Sequence, residues 1–128
     1  MLDLRTFLSV NALVGLAFGV VLVAAPSVML QLYGIPGGAG AVLFARLLGA
    51  ELLGLNVPTW MVRTRPDGEG AAFAVVGHAF SETLGFAVSF GAAIAHVGNA
   101  MVWSVALIYA LFSAGSLYFI FAGRVKMG

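Results

Sequence analysis

His78 and Glu82 stand four residues apart inside one long apolar stretch, and Arg46 and Glu51 stand five apart inside another. A carboxylate and an imidazole at i and i+4 of a helix lie one turn apart on the same face, close enough to exchange a proton. Glu51 and Glu82 fall at similar depths, and two carboxylates at one depth repel each other. A pair holding one proton between them supplies both an acid and a base. The spacing therefore nominates Glu51, Glu82 and His78 as catalytic groups, with His78 tuning or relaying the proton. Arg46 would set the charge of a carboxylate, reaching Glu82 or snorkelling outward, while Asn11, Asn56 and Tyr109 would orient a substrate. Isomerisation, cyclisation and epoxide opening are all compatible, since each needs only positioned acids and bases and no cofactor.

Other chemistries find no foothold. The chain has no cysteine, which removes disulfides, thiolate metal sites and cysteine nucleophiles together. One interior histidine is too few for the paired Glu-x-x-His ligands of di-iron bundles, so no metal is expected. No phosphate loop, nucleophile elbow or His-Glu-x-x-His motif is present. Net charge is +1 with no basic patch, which argues against nucleic acid.

What must position these groups is a set of membrane-spanning helices. The 128 residues are 62% hydrophobic and 9% charged, with a mean hydropathy of +1.07, against about 25% charged residues in a soluble domain. A spanning helix needs about 20 apolar residues, and four windows qualify, at 4–25, 39–62, 71–95 and 99–122. The links between them are short, so consecutive spans should be antiparallel neighbours. The expectation is an all-α, up-and-down four-helix bundle forming a single domain over residues 1–128. The link at 26–38 reads as a loop, because Pro26, Gly34, Pro36, Gly37 and Gly38 interrupt helix. Arg5, Arg63, Arg65, Arg124 and Lys126 cluster at the two termini and the second link, which places the N and C termini on the cytoplasmic side.

A charge at the bilayer centre costs at least about 2.5 to 3.5 kcal/mol, so Arg46, Glu51, His78 and Glu82 need partners or a purpose. On the third span His78, Glu82, Gly85 and Ser89 follow one helical stripe that should face the interior. Arg46 and Glu51 sit about 140° apart around their helix and should not pair with each other. Small residues at helix-contact spacing, among them Gly15 with Gly19 and Ala87 with Gly91, should allow close helix approach.

The stretch from Phe44 to Leu55 (Phe-Ala-Arg-Leu-Leu-Gly-Ala-Glu-Leu-Leu-Gly-Leu), preceded by Ala25-Pro26 and Leu32-Tyr33-Gly34, resembles small bacterial DoxX-like four-helix membrane proteins. That resemblance covers the first two spans, implies the four-helix fold and a bacterial inner membrane, and implies no activity. A second likeness concerns the site. Emopamil-binding-type sterol isomerases also carry a His-x-x-x-Glu pair on one transmembrane helix and another intramembrane Glu, which move protons to and from a double bond. His78 and Glu82 match that spacing, and Glu51 would be the third group, although here it precedes the pair.

Three functional classes follow. The first is a membrane protein that binds a small hydrophobic molecule from the bilayer at an acid/base site. The second is a non-catalytic accessory subunit of a larger membrane complex, its polar cluster serving as internal glue. The third is a small proton-coupled transporter, opposed by the absence of inverted repeats. A homo-oligomer is compatible with each.

Overall fold

The computed structural model describes residues 2–126, and the regular secondary structure among these is all helical. Four helices are long and apolar enough to cross a membrane: α1 (Leu4–Ala24), α3 (Ala39–Val62), α4 (Glu69–Ile94) and α5 (Val102–Phe121). The chain is thus a multi-pass membrane protein built as an all-α four-helix bundle. Asp3 caps α1, its carboxylate accepting from the Thr6 N–H, which the first turn would otherwise leave unpaired. α3 runs unbroken through Pro58.

The fifth helix, α2 (Pro26–Leu32), occupies part of the link expected to be a loop. Pro26 does end α1, and it then serves as the first residue of α2, where its fixed φ suits helix and its missing N–H costs nothing. Met29, Leu30 and Tyr33 are buried by this turn. The link before α5 is tied to it: the Asn99 N–H donates to Tyr33 O at 2.9 Å, and Asn99 Nδ2 to Leu32 O at 2.9 Å.

The bundle consists of two tight antiparallel pairs. α1 lies against α3, where the Gly19 carbonyl comes so near Gly49 that a Cβ there would stand 2.8 Å from it. The Asn56 side chain fills the space over Gly15. The small-residue spacing of Gly15 and Gly19 therefore serves close approach, whereas Gly91 has open space around it. α4 lies against α5, with the Thr83 and Ser113 hydroxyls 2.7 Å apart and Tyr109 packed over Gly85.

The two pairs meet chiefly at their ends. At the end shared by both termini and the α3–α4 link, Leu4, Phe7, Leu8, Ala71, Val75 and Phe119 form one apolar cluster. At the opposite end Leu22, Met29, Leu30, Tyr33, Ala93 and Val102 form another. Between these clusters the pairs diverge.

Candidate functional site

Divergence leaves a cavity of about 700 Å³ in the middle of the bundle, within the roughly 300 to 1,000 Å³ typical of small-molecule sites. Its walls are apolar, contributed by Phe18, Leu52, Val105 and Ile108 among others. The apolar cluster around α2 roofs it. Its floor carries Asn11, Asn56, His78 and Glu82, with Tyr109 at the side. Phe44 and Leu48 of α3 and Leu84 and Val88 of α4 line it and are also exposed on the outside of the bundle. The cavity therefore opens sideways between α3 and α4, toward the acyl chains of a bilayer.

Glu82 is the hub of the floor. Its Oε1 lies 3.0 Å from Nδ1 of His78 and accepts from Asn11 Nδ2, while its Oε2 accepts from the Ser116 hydroxyl at 2.8 Å. On the far side of the imidazole, Nε2 of His78 is 2.9 Å from the Thr59 hydroxyl, which donates to Leu55 O at 2.8 Å. Asn11 comes from α1, Thr59 from α3, His78 and Glu82 from α4 and Ser116 from α5. All five side chains are buried. One network thus joins all four spanning helices at a single level.

Donor counting places the protons. The Thr59 hydroxyl has one hydrogen and gives it to Leu55 O, so toward His78 it can only accept, and Nε2 must carry a hydrogen. The proton that can move is the one between Nδ1 of His78 and Oε1 of Glu82. With it on His78 the pair is imidazolium and carboxylate, and with it on Glu82 both groups are neutral. In either state the pair's net charge is zero, which suits a buried position.

Asn56 makes one bond, Nδ2 to Leu52 O at 2.8 Å, and its buried Oδ1 has no partner among the described residues. Such an orphaned acceptor is uncommon. The bond to Leu52 O settles which amide atom is which, since a carbonyl can only accept.

The expected companions of the hub on α3 are elsewhere. Arg46 and Glu51 are exposed, do not line the cavity, and make no ion pair among the described residues. The juxtaposition of Glu51 with Glu82, and a reach of Arg46 to Glu82, are not formed. The reason is azimuth. The interior face of α3 is claimed by Ala45, Gly49, Asn56 and Thr59, and Glu51 stands about 125° and Arg46 about 95° around the helix from its centre. Arg46 and Glu51 do remain unpaired with each other, as their 140° separation requires. Asn11, Asn56, His78, Glu82 and Tyr109 all reach the cavity.

Thr59 and Ser116 join the site without any sequence motif that marks them for it. Thr59 was findable, since it stands three residues beyond Asn56 and shares its helix face. Among the described residues no three His, Asp or Glu side chains gather in a way that could hold a metal ion. No protein-family model, curated protein or solved structure matches the chain.

Proposed function

We propose that this protein takes a small hydrophobic molecule from the bilayer into the cavity between its helix pairs and moves a proton on it with the His78–Glu82 pair. The single observation that carries the reading is an apolar cavity, open toward lipid, whose floor holds Oε1 of Glu82 3.0 Å from Nδ1 of His78. A group that can deliver a proton at one carbon and accept one at another supports double-bond isomerisation best among the reactions considered. Epoxide opening and cyclisation more often use separate acid and base groups, and Glu51 does not line the cavity. The likeness to emopamil-type sterol isomerases enters here as an analogy of site, with Asn11, Asn56 and Tyr109 in place of the second carboxylate. A ligand hydroxyl could satisfy Asn56 Oδ1 after a small turn of that side chain. The positive-inside bias orients both termini to the cytoplasm, so the α2 end faces outward.

One observation favours a second reading, in which the cluster is internal glue for an accessory subunit: Glu82 and His78 already have hydrogen-bond partners at every nitrogen and oxygen. Native mass spectrometry from lipid nanodiscs separates the two. The binding reading expects a co-purified apolar molecule that is lost in Val105→Trp, which fills the cavity without touching Glu82, and is retained but not converted in Glu82→Gln. A wild-type protein that carries no such molecule, and takes none up from offered sterols and isoprenoids, sinks that reading.

A further inference from the structure

Arg46 and Glu51 are opposite charges inside a span, both exposed on the outside of the bundle, and neither has a partner among the described residues. Acyl chains offer them no partner. Their spacing, however, is that of two positions that meet between parallel helices. In a heptad abcdefg, a residue at g of one helix faces the e residue five positions further along its parallel neighbour.

Setting Arg46 at g and Glu51 at e makes the a and d positions Gly40, Leu43, Leu47, Ala50, Gly54, Val57 and Met61. Every one of them is exposed. They form one stripe the length of α3, on the side opposite the buried Ala45, Gly49, Asn56 and Thr59. Arg46 and Glu51 flank the stripe at about 70° to either side of its centre, by the roughly 100° step per residue. At its middle Ala50 and Gly54 are small residues four apart, the spacing that lets membrane helices approach closely. A Cβ on Gly54 would meet nothing in its own chain, so packing within the chain gives no reason for a glycine there.

We infer that the chain forms a two-fold dimer through α3, the two copies side by side and equally oriented, with Arg46 of each pairing with Glu51 of the other. The surface is self-complementary: one apolar seam, two reciprocal ion pairs and a small-residue crossing point. Equal orientation in the membrane is what the one-sided placement of Arg5, Arg63, Arg65, Arg124 and Lys126 favours. The cavity mouth at Phe44 and Leu48 borders this seam, with Phe44 at the e position one heptad before Glu51. The inference stands independently of any ligand.

The absence of native cysteine makes the test direct. Ala50→Cys and Gly54→Cys, each introduced alone and treated with a mild oxidant in vesicles, should give disulfide-linked dimer. Phe80→Cys and Leu111→Cys, exposed on α4 and α5, should not. Within the Ala50→Cys background, Arg46→Glu alone and Glu51→Arg alone should each lose the crosslink, because each faces its own charge. Co-expressed, they should link to one another, because the mixed pair restores both bridges. That rescue distinguishes a lost interface from a lost fold. Equal crosslinking at all four positions, undiminished self-linking of either charge variant, or failure of the mixed pair while wild type links, overturns the proposal.

Discussion

The Thr59 hydroxyl lies 2.9 Å from Nε2 of His78 and donates its own hydrogen to Leu55 O, so it fixes the tautomer of an imidazole one helix away. Thr59→Val keeps the shape and removes the acceptor, leaving a buried N–H unpaired. The expected loss is about 1 to 3 kcal/mol, the usual cost of an unsatisfied buried donor. Thr59→Ser should recover most of it. Thermal unfolding in a single detergent checks both.

His78→Ala removes one partner of a buried pair and leaves Glu82 held by Asn11 and Ser116 alone. Breaking such a pair costs about 3 to 5 kcal/mol. His78→Ala should therefore be less stable than Thr59→Val in the same melting series. A variant as stable as wild type would mean that the pair contributes nothing to holding the four helices together.

Two glycines lie at the cavity and should answer differently to alanine. At Gly85 a Cβ would stand 2.6 Å from Cε1 of Tyr109, and the ring has the open cavity to swing into. Gly85→Ala should reshape the site and weaken retention of an apolar ligand, with a change in melting small beside that of Gly15. At Gly15 the Cβ would collide with the Asn56 amide, which is held to Leu52 O and buried. Gly15→Ala should cost about 1 to 3 kcal/mol, the range for overpacking a tight interior. Ligand retention and melting midpoint, measured on both variants, test the contrast.

Asp3 supplies a pH dependence outside the membrane. Hydrogen bonds from Thr6, first from its backbone, hold the Asp3 carboxyl below its ordinary value of 3.8. A lowered folded value means that the ionised cap stabilises the start of α1 at all pH above 3.8, and that this is lost as pH falls through the folded value. Hydrogen exchange at the amides of Thr6 and Phe7 should thus be protected at neutral pH, faster in Asp3→Ala, and alike in both proteins in strong acid after correction for intrinsic rates.

Apolar length alone marked the spans, because a helix in lipid must be long and uncharged: 39–62 coincides with α3, and the other three lie within three residues of the observed ends. The interior stripe of α4 was equally legible, since His78, Glu82, Gly85 and Ser89 repeat at helical period and all line the cavity. The outward direction of Arg46 and Glu51 was not. Counting residues gives depth, whereas the azimuth of α3 is set by which side chains its neighbours accept, and that follows from Gly15, Gly19 and Gly49 meeting across the α1–α3 contact. α2 is not legible from its breakers, because Pro26 stops one helix and starts the next.

The shared proton of His78 and Glu82 has an electrical consequence. A full charge crossing the membrane gains or loses about 2.3 kcal/mol per 100 mV. Here the proton moves within a gap of 3.0 Å and the pair's total charge never changes. Against a hydrocarbon core about 30 Å thick, the work done by the field is on the order of 0.1 kcal/mol. Proton transfer within this floor is therefore nearly blind to membrane voltage, and would run equally in an energised cell and in a depolarised vesicle.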